Sequence, residues 1–126
     1  MVRWLLPGAL IALLLAAPAP AASLSGTEWR VTRIAGQPVA EFKLTLEFPG
    51  ARKFAGFDGC NRFGGRYSAT ATRLRFRGLF STAIGCEGST IPGLTDRLLR
   101  TRRYRLAGER LELRRRGRTL VVFRRR

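Results

Sequence analysis

Short runs in which apolar and polar side chains alternate constrain the fold of this chain more than any other feature of its sequence. Phe42, Leu44, Leu46 and Phe48 are each separated by one charged or polar residue, and Pro49 follows the run. A period of two places alternate side chains on opposite faces of a β-strand, so this run predicts a strand with one buried face. By the same reasoning we predict strands at residues 29–34, 42–48, 53–57, 73–77, 110–114 and 120–123, and a short strand or turn at 67–72.

One segment departs from this alternation. Leu94, Leu98 and Leu99 have helical spacing, and we predict one amphipathic helix over residues 91–102. A single helix among six to eight short strands predicts a mainly β, β-rich α+β fold in one domain. The expected architecture is a small antiparallel barrel or strongly curved sheet, with the helix covering an open end or edge.

The N-terminal residues form a segment of different composition. A single positive charge at Arg3 precedes an apolar stretch from Trp4 to Ala17, and small residues follow it. This order is typical of a secretory signal, and we predict residues 1–21 as a signal peptide cleaved after Ala21. An uncleaved membrane anchor is the alternative, but prolines interrupt the segment and its apolar part is shorter than the roughly 20 residues of a membrane span. Residues 22–126 then form the mature extracytoplasmic domain, periplasmic or secreted.

The residue types present exclude most catalytic chemistry. The chain has no His and only two Cys, so the commonest general base and the usual zinc ligands are missing. No motif for an activated serine or a phosphate-binding loop occurs, and Asp58 fits a turn better than acid–base work. We therefore predict a protein that is not an enzyme and has no catalytic residues, metal or cofactor.

Cys60 and Cys86 are 26 positions apart, and in an oxidising compartment they are expected to form a disulfide. Closing a loop of that length would stabilise the fold by roughly 3.5 kcal/mol in the chain-entropy model. Two buried free thiols that pack as small apolar groups are the alternative.

Arginine dominates the charge of the chain. Of 24 basic residues 22 are Arg, the net charge is +16, and 13 arginines fall in the last 30 positions. One interpretation is a solvated strand face combined with a compositional bias toward Arg. The other is docking to an anionic envelope surface, such as acidic lipid or lipopolysaccharide. Nucleic acid is disfavoured as a partner by the export signal. The candidate basic patch comprises Arg114, Arg115, Arg116, Arg124, Arg125 and Arg126.

The most distinctive motif is the run from Gly59 to Tyr67, Gly-Cys-Asn-Arg-Phe-Gly-Gly-Arg-Tyr, which the segment Ser81-Thr82-Ala83-Ile84-Gly85-Cys86 follows. Gly and Asn tolerate left-handed backbone, so a tight turn anchored by aromatic side chains is expected here. A structural corner is the simpler interpretation, and a ligand mouth beside Ser81 and Thr82 is the alternative. The candidate motif residues are Gly59, Cys60, Asn61, Phe63, Gly65, Tyr67, Ser81, Thr82 and Cys86.

These paired motifs resemble the META domain family, the HslJ-like heat-shock proteins of bacterial envelopes. The resemblance extends from Gly26-Thr27-Glu28-Trp29 through the helix to Leu111-Glu112-Leu113. It implies a lipocalin-like, partly open antiparallel β-barrel with one helix. The chain departs from the family at Ala83-Ile84-Gly85, where Arg-Met-Ala is commoner, and it lacks the lipid attachment site that the family often carries.

The resemblance also implies a role. It suggests an exported, non-enzymatic protein linked to heat stress and novobiocin tolerance, acting in the envelope stress response or as a module that binds a small ligand or a partner. We expect a monomer whose partner is an unidentified protein or amphiphile, with docking to anionic envelope polymers or acidic lipids through the Arg-rich C-terminal half as the alternative. No transmembrane span is expected after signal cleavage.

Overall fold

The computed structural model describes residues 23–86 and 93–126, together with Gly8. The predicted signal peptide apart from Gly8, its cleavage site and the predicted start of the helix at residues 91–92 lie outside these described residues. Nine strands, one α-helix and one short 3-10 turn make up the described chain: β1 (Thr27–Ile34), β2 (Gln37–Pro38), the 3-10 turn (Ala40–Phe42), β3 (Thr45–Phe48), β4 (Lys53–Phe57), β5 (Arg62–Ala69), β6 (Leu74–Ser81), α1 (Leu94–Arg100), β7 (Arg103–Ala107), β8 (Arg110–Arg115) and β9 (Arg118–Arg125).

The strands form one antiparallel sheet in the order β6-β5-β4-β3-β1-β9-β8-β7, and β2 pairs with β1 outside this path. The sheet is an open, strongly curled half-barrel, as the alternation of side chains predicted. Its two edge strands approach each other at a single bridge between Arg73 and Arg103. There the Leu74 N–H donates to the Arg102 carbonyl over 3.1 Å, and the Tyr104 N–H donates to the Thr72 carbonyl over 3.0 Å. Helix α1 packs against β6 and covers the open side.

The concave side of the sheet holds the core. Trp29, Phe48 and Phe123 are fully buried, and Leu94 and Leu98 of α1 close the core from the open side. An aromatic cluster continues this core through β4, β5 and β6, with the Phe48 and Tyr67 ring centroids 4.8 Å apart in an edge-to-face arrangement. The inward-pointing side chains therefore fill the space that the curl of the sheet encloses.

The boundaries of several elements differ from the prediction. The strand predicted from Phe42 begins only at Thr45, because Ala40–Phe42 form a 3-10 turn and Lys43 adopts a left-handed backbone with φ of 54°. Within the described residues the helix spans Leu94–Arg100; it begins after Gly93 and ends before Thr101, short of the predicted end at residue 102. Strand β7 was not predicted, because the dense run of arginines obscures its alternation around Tyr104.

The largest difference concerns the glycine-rich motif. Residues 62–69 form a continuous strand, β5, where the sequence predicted a turn followed by a short strand or turn at 67–72. Pairing with β4 and β6 on both sides overrides the weak strand propensity of Gly64 and Gly65. A Cβ at Gly65 would lie 2.7 Å from the Arg77 carbonyl oxygen and 2.8 Å from the Phe54 ring, so only glycine fits there.

Candidate functional site

The corner around the first cysteine is built by side chains that hydrogen-bond to the backbone. The Asp58 carboxylate accepts from the N–H groups of Cys60 and Asn61, over 2.9 and 2.6 Å. The Asp58 N–H donates to the Asn61 carbonyl over 3.0 Å and closes the turn. Gly59 occupies the position with φ of 97°, which a residue with a side chain rarely adopts. Asp58 therefore has the turn role that its sequence context predicted.

Asn61 then fastens this corner to the segment that follows β6. Its Oδ1 accepts from the Ile84 N–H over 2.7 Å and from the Thr82 hydroxyl over 2.8 Å. Its Nδ2 donates to the Ile84 carbonyl over 3.3 Å. The side-chain amide of Asn61 thus pairs with the backbone of Ile84 as a neighbouring strand would, and this pairing requires both a donor and an acceptor.

The two cysteines strengthen the same junction. The structure holds Cys60 and Cys86 in disulfide geometry with their Cα atoms 5.9 Å apart. The pairing is compatible with an oxidising, extracytoplasmic compartment. Because Cys60 precedes Asn61 and Cys86 lies two residues beyond Ile84, the disulfide and the Asn61 amide hold one short stretch of chain at two points.

The remaining motif residues lie apart from this corner. Phe63 and Tyr67 belong to β5 and are buried, and the Tyr67 hydroxyl donates to the Gly50 carbonyl over 2.7 Å. Burial raises the pKa of Tyr67 above its ordinary value, and the neighbouring Tyr104 raises it further. The Ser81 hydroxyl donates to the Thr82 carbonyl over 3.0 Å and is exposed. The corner is therefore smaller than predicted, and Phe63, Gly65 and Tyr67 belong to the wall of the sheet.

The predicted basic patch is divided among several surfaces. Arg116 occupies the β8–β9 turn with φ of 49°, and Arg115 donates to the Arg100 carbonyl of α1 over 3.5 Å. Arg125 lies over the Trp29 ring, with its guanidinium carbon 5.9 Å from the ring centroid. The Arg126 N–H donates to the Glu28 carbonyl over 3.0 Å. Of the six predicted residues, Arg114 and Arg124 alone lie in the rows of outward side chains described next.

These rows cross the outer face of β7, β8, β9 and β1. One row joins Arg30, Arg124 and Arg110, a second joins Arg33, Val122, Glu112 and Arg105, and a third joins Arg114 with Arg103. Outward residues recur every second position, so the arginines on neighbouring strands fall side by side. We call the seven arginines of these rows the arginine face: Arg30, Arg33, Arg103, Arg105, Arg110, Arg114 and Arg124.

Glu112 is the one carboxylate within these rows. Arg110 donates to Oε1 from Nη2 over 2.8 Å and from Nε over 3.1 Å, and Arg114 Nη1 donates to Oε2 over 3.3 Å. The hydrogen bond from Arg110 lowers the pKa of the Glu112 carboxyl; burial opposes this shift, and the charges of Arg110, Arg114 and Arg105 reinforce it. The Glu112 side chain is only 13% exposed, so it neutralises its neighbours without presenting negative charge outward.

Five of the seven arginines lie outside the predicted basic patch, because that prediction rested on runs of consecutive basic residues. Along β7, Arg103 and Arg105 occupy alternate positions and therefore point to the same face of the sheet. Arg110 and Arg114 do the same along β8. Arginines at alternate positions of adjacent strands are therefore the sequence signal that could have located the arginine face.

Neither metal sites nor membrane-spanning helices occur among the described residues. Within residues 23–86 and 93–126, no group of three or more His, Cys, Asp or Glu side chains is placed to hold a metal ion. In the same part of the chain, no helix has the length and apolar character needed to cross a bilayer.

Comparisons with known proteins agree with this architecture. The sequence profile described as the META domain matches residues 22–126. The chain is similar to a protein from Burkholderia xenovorans whose structure was determined by NMR, with a TM-score of 0.66 and 23% sequence identity. That similarity covers 87% of this chain and 92% of the other, and at this identity it speaks for the fold alone. The comparison with curated proteins gave no match.

Proposed function

Because the chain belongs to the META domain family, we propose that it is an exported, non-enzymatic binding protein of the bacterial envelope that docks on anionic surfaces through its arginine face. The observation that carries this proposal is the cross-strand register. It sets seven arginines on four adjacent strands around one enclosed carboxylate.

The arrangement suits a flat polyanion better than a single small ligand. Arg30, Arg105 and Arg124 are exposed, so their guanidinium groups reach solvent while the strands hold their stems in fixed rows. Guanidinium groups bind phosphate and carboxylate oxygens in a bidentate manner. The net charge of +16 adds a long-range attraction to any negatively charged surface. Acidic lipid and lipopolysaccharide both present such a surface in a bacterial envelope.

The packed concave side of the sheet argues against a role as a carrier of small ligands. Trp29, Phe48 and Phe123 occupy it and are fully buried, as are the leucines and valines around them. A ligand of lipocalin type would have to displace these side chains from a packed core, where even small changes of volume are costly. Surface docking requires no such rearrangement.

Three observations support the remaining parts of the proposal. The order of residues 1–22 is typical of a secretory signal, and the paired cysteines suit an oxidising compartment. Each shifted pKa among the described residues has a structural cause: burial for Tyr67, Tyr104 and Arg102, and an ion pair for Glu112. The ion pairs of Glu112 account for its lowered pKa, so the shift does not require a catalytic role for this carboxyl.

Binding to vesicles tests the docking surface. The variant R105Q/R124Q removes two charges from the arginine face and leaves the hydrogen bonds of Glu112 to Arg110 and Arg114 in place. The control R52Q/R62Q removes two exposed charges from outside the face. Each basic residue near an acidic membrane contributes about 1 kcal/mol, so the face variant should bind phosphatidylglycerol vesicles about thirtyfold more weakly. Equal affinities of the two variants, or binding that salt does not weaken, would contradict the proposal.

The family membership also supports a second, physiological role in the envelope stress response. We propose that cells without the gene become more sensitive to heat, detergent and novobiocin, and that the wild-type gene restores their resistance. The R105Q/R124Q gene should restore less resistance than the R52Q/R62Q gene if docking serves this role. Unchanged sensitivity of the deletion strain to all three treatments would remove the support for a stress role and leave the binding proposal standing.

A further inference from the structure

A groove runs along the seam where the half-barrel fails to close. The single bridge between Arg73 and Arg103 joins the two edges of the sheet, and the outer surface beside it forms an open groove of about 520 Å³. This volume lies within the range of sites that bind small molecules. Five arginines line the groove: Arg73, Arg75 and Arg77 from the β6 side, and Arg102 and Arg103 from the β7 side.

No carboxylate among residues 23–86 and 93–126 forms an ion pair with the arginines of this groove. Within the described residues, the ion pairs join Asp96 to Arg100 and Glu112 to its two neighbouring arginines, and none of them involves an arginine of the groove. The other groups lining the groove are apolar or carry hydroxyls, such as Ser68, which pairs with Arg75 across the β5–β6 ladder. Hydroxyl and guanidinium donors together suit oxygen-rich anions.

Like charges crowd one another across the seam. The guanidinium of Arg102 is held by hydrogen bonds to the carbonyls of Leu99 and Thr101, over 3.1 and 2.8 Å. These bonds fix it in the groove wall. Burial lowers the pKa of Arg102, and the charges of Arg75 and Arg115 lower it further. An anion bound between the walls would relieve this repulsion.

We propose that the seam groove is a specific site for a ligand carrying two or more closely spaced phosphate groups, either a lipid headgroup or a soluble polyphosphate. Five cations exceed what one phosphate can neutralise, and arginine forks match the oxygens of phosphate. The groove is distinct from the arginine face in its walls, apart from Arg103, which borders both. The inference rests on the proposed function only in assuming an anionic partner.

Isothermal titration with sodium tripolyphosphate tests the site without a membrane. The seam variant R73Q/R75Q changes two exposed side chains that form no hydrogen bonds among the described residues, so the fold should be preserved. The face variant R105Q/R124Q and the control R52Q/R62Q each remove two positive charges at positions outside the groove. Losing charged hydrogen bonds from the groove should weaken tripolyphosphate binding about tenfold or more in the seam variant. The other two variants should bind within about threefold of the wild type.

A second variant approaches the site from the opposite wall. R102Q should weaken tripolyphosphate binding as R73Q/R75Q does, and circular dichroism will report whether loss of the Leu99 and Thr101 hydrogen bonds unfolds it. If R102Q does not fold, the tripolyphosphate binding of R73Q/R75Q alone tests the site. Equal binding by the seam, face and control variants, both on tripolyphosphate and on the lipid A vesicles described next, would overturn the site, because diffuse electrostatics would then account for all of the binding.

Vesicles distinguish the source of the phosphate. Phosphatidylcholine vesicles with and without lipid A, which carries two phosphates, are compared with soluble tripolyphosphate. If R73Q/R75Q loses affinity only for the lipid A vesicles, the ligand is a lipid headgroup. If it loses affinity only for tripolyphosphate, the ligand is a soluble polyphosphate. If R73Q/R75Q binds both probes as strongly as the control variant does, the proposal is overturned. A face variant that binds phosphatidylglycerol vesicles normally would contradict the proposed function while leaving the seam site intact.

Discussion

At the scale of single residues, the motif side chains act mainly on the backbone. Asn61 serves as a pairing partner for Ile84, Asp58 closes the turn before it, and Gly59 supplies the positive φ that the turn needs. The sequence identified this corner because Gly, Asp and Asn favour turns for reasons of backbone conformation. It could not identify the partners of Asn61, because Thr82 and Ile84 approach only after β5 and β6 pair.

Replacing Asn61 tests this role. N61A removes the amide that bonds to Thr82 and Ile84 and should lower the free energy of unfolding by about 1 kcal/mol, since these groups are exposed enough to regain water. N61D keeps an acceptor for the Ile84 N–H but sets a carboxylate oxygen against the Ile84 carbonyl, so it should destabilise at least as much as N61A. Urea denaturation of the oxidised protein measures both variants. N61A as stable as the wild type would show that the amide contacts are incidental.

Glu112 gives a prediction about pH. Its pKa is lowered in the folded state below the ordinary value of 4.5, so its ion pairs stabilise the fold above that value. The stabilisation is lost as the pH falls through the lowered pKa, when the carboxyl becomes protonated. E112Q should therefore be less stable than the wild type at neutral pH, and the difference should shrink at acidic pH. A stability difference that stays constant between pH 7 and about pH 2 would contradict this account.

At the scale of elements, the alternation of side chains was enough to predict most strands, and tertiary pairing decided the rest. Strand β4 lies at the predicted residues 53–57, because turn residues bound it at both ends. Strand β5 was missed because Gly64 and Gly65 disfavour a strand when taken alone. The requirement for glycine at these two positions follows only from the tertiary structure, because the rings of Phe54 and Phe80 lie against the glycine backbone.

The close packing at β5 predicts the effect of adding one methyl group. G65A would bring a Cβ to 2.7 Å from the Arg77 carbonyl oxygen and should destabilise the fold by about 1–3 kcal/mol through overpacking. Gly85 is the matched control, because its Cβ would meet nothing within 4 Å and its φ is not positive. G85A should be nearly neutral in thermal denaturation. Similar melting temperatures for the two variants would show that β5 can move away from β6.

The disulfide joins the β4–β5 corner to the segment after β6, and its removal should be costly. C60S/C86S should lower the free energy of unfolding by about 3 kcal/mol, because the unfolded chain regains the entropy of an open loop. The measurement is urea denaturation without reductant. The wild type in reductant should match the double variant. A wild type that gives free thiols in a quantitative assay after export would contradict the pairing.

At the scale of the whole molecule, the fold converts scattered arginines into two basic surfaces. The sequence alone provided the net charge of +16 and the C-terminal concentration of arginine. It could not provide the register that sets Arg30 beside Arg124 and Arg124 beside Arg110, since β1 and β9 lie at opposite ends of the chain. Curling of the sheet then brings β6 and β7 together and creates the seam, which no local pattern predicts.

Docking of the arginine face on an anionic envelope surface can be observed by NMR of the isotope-labelled protein on phosphatidylglycerol vesicles that carry a paramagnetic headgroup lipid. We expect broadening to be strongest for amides of β7, β8 and β9, with Arg105, Glu112 and Arg124 at its centre, and salt to abolish it. Broadening centred instead on the corner from Asp58 to Asn61, or spread evenly over the molecule, would contradict docking through the arginine face.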